Sequence, residues 1–333
     1  IGVPMPARQP LVSVVIPAYQ AEAFLGAAVT SALTQTYPNI EVVITNDGSS
    51  DRTGAIAAAY GDLVRVVTQE NRGLPGARNS AIRQARGELV ALLDADDILL
   101  PPYVQTAVDS WLAGGDERTF VTCDAHLMSG AGIVQGRTVL PSGTPAAAEQ
   151  RRRILENNFV SIFSVFPRRM WEEIDGFDES MRVCEDYDFW ARAIYAGWTA
   201  RFVTAHHALY RRAAGSLSTQ SERMYAGEQQ VLAHVAELHG ASLSTEERQF
   251  LDLRLERGSA VQQVDLGESA LRRGDVPTAA DHFAVASQLM PSARRIRLKA
   301  EVLRRAPALG AVYARRLAAK DRETGRTSED VRP

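Results

Sequence analysis

The chain of 333 residues is 45% hydrophobic and 23% charged, a balance that fits globular domains and excludes disorder or a collagen-like chain. At about 100–200 residues per domain, the length implies two domains or one catalytic domain with an extension. A formal net charge of −3 argues against a dedicated nucleic-acid binder. Cys123 and Cys184 lie in apolar surroundings without CxxC spacing, so reduced, buried thiols are expected rather than zinc or a disulfide. No stretch approaches about 18 uninterrupted apolar residues, and no basic-then-apolar leader pattern opens the sequence, so a soluble cytoplasmic protein is expected.

The first half alternates strand and helix patterns, which implies βαβ units and a mostly parallel sheet. Leu11–Ile16 is a β-branched run closed by Pro17, and Ala21–Thr36 carries helical spacing. Strand Ile40–Thr45 enters the turn Asn46-Asp47-Gly48-Ser49. Helix Thr53–Tyr60, strand Val64–Thr68 and helix Pro75–Ala85 follow. Strand Leu89–Leu93 then stops at Asp94-Ala95-Asp96-Asp97. Met128–Gln150, rich in Gly, Pro, Ser and Ala, reads as a long mobile loop of the kind that covers active sites. Beyond residue 220 strand signals vanish. Helices are predicted over Glu222–Leu238, Thr245–Arg273 and Pro277–Leu289, with shorter pieces broken by Pro291 and Pro307. The expected division is a domain over residues 10–220, a helical domain over 221–320 and a disordered tail over 321–333.

Both acidic turns follow strands, and in open α/β sheets ligands bind beyond the carboxyl ends of strands. Asp94 and Asp96 have the spacing to face one crevice, where a hard cation held partly by substrate phosphates would suit them. A plainer reading makes Asp97 the cap of a helix that includes Tyr103–Leu112. Asp47 reads either as part of a Gly-bearing turn or as an acceptor for a pyrimidine N–H. Cys184-Glu185-Asp186-Tyr187-Asp188-Phe189-Trp190 sets acids beside aromatic residues, and partial desolvation of a carboxylate suits a general base. The same acids would also favour a helix start. Arg78, after a Gly/Pro turn, reads as a phosphate or base ligand or as part of a solvated helix face.

In order, Val12–Tyr19, Asn46–Asp51, Asn71-Arg72-Gly73 with Ala77-Arg78-Asn79, Asp94–Asp97, Gly176–Glu179 and Glu185–Trp190 resemble the family 2 glycosyltransferases of the GT-A fold. The resemblance covers residues 10–218. It implies an α/β fold with a nucleotide-binding, mostly parallel sheet flanked by helices; the helix patterns beyond residue 220 add an all-α region. The implied activity is transfer of a sugar from a nucleotide diphosphate donor, here a UDP-sugar, with inversion. By position, Pro17, Ala18, Tyr19, Asp47, Arg78, Asp94 and Ala95 would bind the donor, with Tyr19 stacking on the base. Asp96 would hold Mn2+ or Mg2+, Asp186 would be the base, and Glu185 would contact acceptor or sugar hydroxyls. The resemblance leaves the acceptor open among glycans, lipid-linked molecules, small molecules and peptides.

The sequence departs from the family pattern at Ala213, where the family often has a metal- or diphosphate-contacting His; His206 or His207 would have to substitute. Asn46 replaces a common Asp, and Asp175 a common Gly. Two rivals stand beside the transferase. One is a sugar-nucleotide-forming nucleotidyltransferase, which would carry a Gly-rich basic loop where Pro17-Ala18-Tyr19-Gln20 stands. The other is a degenerate, non-catalytic domain that binds sugar nucleotides or acts as a scaffold through its helical end. In that end, Gly267, Ala270, Gly274, Ala279, Phe283 and Pro291 resemble one tetratricopeptide-type hairpin. Residues 294–320 interleave nine basic residues with apolar ones against the single acid Glu301, which reads as a solvated face or as a surface for anionic lipid.

Overall fold

The computed structural model describes residues 8–115, 118–129, 132–140, 144–212, 221–291, 293–308 and 312. Its contacts divide the chain into two compact units, 1–220 and 221–333.

The first unit is built on strand β1 (Val12–Ala18), every residue of which is buried. A β-branched run buried on both faces belongs at the centre of a parallel sheet with helices on each side. Helix α1 (Leu25–Leu33), β2 (Ile40–Asp47), α2 (Thr53–Ala58), β3 (Arg65–Gln69), α3 (Gly73–Gln84) and β4 (Leu89–Leu92) follow. The short β5 (Ile98–Leu99), α4 (Tyr103–Ala113), β6 (Thr119–Ser129) and β7 (Gly132–Thr138) come next. Then come α5 (Gln150–Ile154), β8 (Ser164–Pro167), α6 (Arg168–Glu173), α7 (Glu185–Tyr195) and β9 (Thr199–Arg211). The strands form one sheet in the order β3-β2-β1-β4-β8-β6-β9-β5, with β7 paired to β6.

The expected parallel arrangement holds for β3, β2, β1 and β4. Because β2, β1 and β4 are adjacent and parallel, Asp47, Pro17–Tyr19 and Asp94–Asp96 all emerge at one edge. Beyond β4 the sheet is mixed: β8 runs antiparallel to β4 and β6, β5 antiparallel to β9, and β6 parallel to β9.

Two expectations fail in this unit. The segment Met128–Gln150 is not one irregular loop, because β6 runs to Ser129 and turns back as β7. Asp124 anchors the return: its Oδ1 accepts N–H bonds from Ala125, Val139 and Leu140 at 2.8–3.0 Å. An edge strand has one partner and needs little apolar periodicity, so the pattern hid it. Asp97 does not cap a helix either. It leads into β5, its Oδ1 accepts the N–H of Arg211 at 2.8 Å, and α4 starts after Pro102.

Helix α7 is seated by aromatic packing. The Phe177 and Phe189 rings stack at 4.1 Å between centroids, and Phe120 and Trp190 at 5.2 Å. Full burial of such side chains stabilises by roughly 1.5–3 kcal/mol each, and it fixes which face of α7 carries the acids.

The second unit holds α8 (Ser221–His239), α9 (Thr245–Arg257), α10 (Ala260–Arg272), α11 (Val276–Leu289) and α12 (Arg294–Arg305). The helix predicted over Thr245–Arg273 is two, broken at Gly258, whose φ of +80° lies in the left-handed region. Ser259 then caps α10 by accepting the N–H of Gln262. Helices α10 and α11 form the expected hairpin, and with α12 they share a core that includes Leu271, Phe283, Ala300 and Leu303. Ala213, most of residues 309–320 and the tail expected over 321–333 lie outside the described residues.

Candidate active site

A pocket of about 480 Å³ opens at the carboxyl edge of β1, β2 and β4. Pro17, Ala18, Tyr19, Asp47, Asp94, Ala95 and Asp96 all line it, together with Gln20, Phe24, Asn71 and Leu74. Tyr19 is 55% exposed, which leaves its ring available for stacking.

Asp47 is buried, and its carboxylate accepts from Gln69 Nε2 at 2.7 Å and from the backbone N–H groups of Arg72 and Gly73 at 2.9 Å each. It therefore satisfies the N-terminus of α3, where a negative charge is favoured. A carboxylate has about four acceptor positions, so these three bonds leave capacity for a ligand donor. The turn after Asp47 needs glycine. Gly48 has φ +73°, and a Cβ there would lie 2.8 Å from Asn71 N.

The amide of Gln20 clamps this turn from the other side. Its Oε1 accepts the N–H groups of Ser50 and Asp51 at 3.1 and 3.2 Å, and its Nε2 donates to Ser50 Oγ at 3.0 Å. Sequence reading gave Gln20 no role; its φ of +50° is a constraint that spacing does not reveal.

Arg78 does not stand on a solvated helix face: it is 1% exposed. Its Nη2 donates to Asp94 Oδ1 at 2.8 Å and its Nη1 to Glu185 Oε1 at 2.6 Å. Burial works against the charged guanidinium, yet the two carboxylates hold its pKa above the ordinary arginine value. Glu185 is correspondingly buried.

Asp186, the next residue, keeps partial exposure and accepts from Asn158 Nδ2 at 3.2 Å. Burial, then the charge of Glu185, pushes its carboxyl up to about 7, against the opposing pull of Arg78. The chain enters α7 through Cys184 at φ +60°, a left-handed conformation costing on the order of 1–3 kcal/mol for a residue with a Cβ. Asn79, one residue beyond Arg78, ties α3 to the turn before α7. Its Nδ2 donates to Phe177 O and Glu179 Oε1, and its Oδ1 accepts from Phe177 N and Trp171 Nε1.

At the Asp94–Asp97 turn, burial and then the Asp94 charge raise Asp96 above the usual carboxylate range. Asp97 is raised further by burial and by both neighbours. A cation at Asp96 would relieve that repulsion, so the donor set fits a metal. No group of three or more His, Cys, Asp or Glu side chains suited to a metal occurs among the described residues. His206 Nε2 lies 3.3 Å from Asp124 Oδ2, and its ring stacks on His126 at 4.4 Å. His207 lends its backbone carbonyl to Leu100 N–H. Neither cysteine is in a disulfide, both are buried, and burial pushes the Cys123 thiol up to about 12. No helix among the described residues is long and apolar enough to cross a membrane.

The family profile of glycosyl transferase family 2 matches residues 13–174. The succinoglycan biosynthesis protein ExoO of Rhizobium meliloti is 30% identical over 304 residues, 87% of each chain. An uncharacterized glycosyltransferase of Rickettsia typhi is 31% identical over 188 residues, 54% of this chain and only 58% of that relative. Among solved structures, S. aureus TarS 1–349 in complex with UDP-GlcNAc superposes with a TM-score of 0.60 at 17% identity, covering 96% of this chain and 93% of that one. A mannosyltransferase from Pyrobaculum calidifontis in complex with GDP-Man and Mn2+ gives 0.56 at 20% identity, covering 96% and 90%. Fold and pocket together define a glycosyltransferase with a GT-A-type α/β domain. The chain belongs to glycosyl transferase family 2.

Proposed function

We propose that the chain moves a sugar from a nucleoside diphosphate donor, a UDP-sugar, to an acceptor hydroxyl with inversion at the anomeric carbon, using Asp186 as general base. One observation carries the reading: a single buried guanidinium, Arg78, links the pocket carboxylate Asp94 to Glu185, the neighbour of Asp186. The donor site and the base are thus parts of one charge network. In this reading Tyr19 stacks on the nucleobase, and Asp47 accepts the pyrimidine N–H with the capacity its three protein bonds leave. Asp96 would hold Mn2+ or Mg2+, with the remaining positions taken by diphosphate oxygens and water. When bound, that cation supplies neutralising charge for the diphosphate leaving group.

The acceptor hydroxyl attacks C1 on the face opposite the diphosphate, the bond from C1 to the diphosphate oxygen breaks, and the hydroxyl proton passes to Asp186. A carboxyl raised to about 7 is matched to proton abstraction near neutrality. No protein nucleophile takes part. Mn2+ in the mannosyltransferase complex and UDP-GlcNAc in the TarS complex support the metal and donor classes. The 87% alignment with a protein of succinoglycan biosynthesis supports a glycan acceptor.

Calorimetric titration of UDP, GDP and TDP with and without Mn2+ tests the reading. UDP binding strengthened by Mn2+ is expected. Preference for GDP would replace the donor, and the absence of metal-enhanced nucleotide binding would sink the reading in favour of a degenerate scaffold.

A further inference from the structure

Helix α12 buries Ala300 and Leu303, with Ile296 packed beside them, against the core shared with α10 and α11. That contact fixes the rotation of the helix. At 3.6 residues per turn, Leu298 and Val302 stand about 160° around the axis from Ala300. They are 65% and 41% exposed. Arg294 lies on one side of this apolar ridge and Arg295 on the other; both are exposed and form no ion pair among the described residues. Arg297 is exposed on the same helix. The single acid, Glu301, is already held by Arg304 and Arg305. Lys299 does not belong to the ridge, because it reaches back to Glu268 and over the Phe283 ring at 4.1 Å.

We propose that this ridge of α12 is a docking surface for an anionic lipid bilayer. Soluble polyanions reward charge alone and leave Leu298 and Val302 in water. A bilayer interface takes both chemistries: arginine stems lie along the boundary with their guanidinium groups on lipid phosphates, while the apolar tips enter the acyl edge. Charge partition agrees. Residues 294–333 carry 12 basic and 5 acidic residues, or +7, which leaves −10 on residues 1–293. A basic segment at the end of an otherwise acidic chain concentrates the attraction to an anionic membrane there. Attachment of this size is reversible, and the inference is independent of the sugar-transfer reading.

Cosedimentation of the whole chain with vesicles tests it. Binding is expected to phosphatidylcholine vesicles containing about 30 mol% phosphatidylglycerol, to be absent for phosphatidylcholine alone, and to fall between about 0.1 M and about 0.5 M NaCl. Each arginine near such a surface contributes about fivefold, so Arg294→Gln with Arg295→Gln should weaken binding about 25-fold. Leu298→Gln should weaken it about fivefold at unchanged charge. These positions are exposed, and an unchanged thermal melt with unchanged UDP titration separates a docking defect from misfolding. Equal binding to neutral vesicles, no binding at all, or competition by dextran sulfate with Leu298→Gln without effect would each overturn the proposal. Loss of UDP binding in the parent protein alongside intact vesicle binding would overturn the transfer reading instead.

Discussion

Replacing Arg78 perturbs both ends of one charge network. Its guanidinium is 1% exposed and compensates two carboxylates, Asp94 and Glu185, from opposite ends. Arg78→Met keeps the aliphatic stem and removes the charge, leaving Glu185, whose side chain is 10% exposed, with no cation in contact. Breaking a buried pair in this way costs about 3–5 kcal/mol, a large share of the roughly 5–15 kcal/mol that holds a domain folded. For a unit of about 150–250 residues each kcal/mol moves Tm by about 2–4 °C, so a fall of about 6–20 °C is expected near neutrality. Arg78 also pulls the Asp186 carboxyl down, so the rising limb of the pH–rate profile should move to higher pH. Arg78→Lys should fall between the two, because an ammonium lacks the planar fork that spans both partners. Thermal melts across pH and a pH–rate series on the same preparations supply the measurements. A Tm within about 2 °C of the parent, with an unmoved pH midpoint, would show that the network does not couple the two sides.

Asp186→Asn should keep UDP affinity while transfer falls by about 10²–10⁴-fold, as expected for loss of a general base; turnover near the parent level would refute the role. In the parent protein, transfer should rise with pH through about 7, as the Asp186 carboxyl gives up its proton. Stability runs the other way. A carboxyl raised from 3.8 to about 7 favours the folded state below the lower value and loses that contribution as pH rises through the upper one. Asp186→Asn should thus melt higher than the parent at pH 8, and no gain there would contradict the raised value. Asp96→Ala should abolish the enhancement of UDP binding by Mn2+ and leave metal-free UDP binding within about threefold; titration with and without the metal reads this directly. Gly48→Ala forces a Cβ to within 2.8 Å of Asn71 N at φ +73°, a strain of about 1–3 kcal/mol. It should weaken UDP binding through displacement of Asp47, and a calorimetric titration within error of the parent would show that the turn does not shape the pocket.

What was legible in the sequence shares a physical character. Strands β1, β2 and β4 are short apolar runs, and the residues that face the pocket follow them directly, so local reading finds Pro17–Tyr19, Asp47 and Asp94–Asp96. The groups it left open or missed act on other side chains across the fold. Arg78 lies in a helix where Pro75 to Ile82 are all buried. Because Gly76, Ala77 and Ser80 are small, nothing in the apolar periodicity separates that helix from a solvated one. Gln20 acts on a turn some 30 residues away, and Asn79 on one about 100 residues away. The Asp124 carboxylate beside His206 is likewise out of reach of local reading, because the pairing of β6 with β9 makes that meeting.

The same distinction bears on the missing histidine at Ala213. A degenerate transferase domain can lose its base and its buried counter-charges together, because neither then serves a reaction. This chain keeps Asp94, Arg78, Glu185 and Asp186 in one connected network, with an arginine buried at considerable desolvation cost and a non-glycine residue strained at the head of α7. Burying a charge and straining a turn both lower stability, and a scaffold would gain from replacing them with apolar residues of similar volume. Their joint presence, in a network that reaches the pocket carboxylate Asp94, favours a working transfer site over an inherited shell.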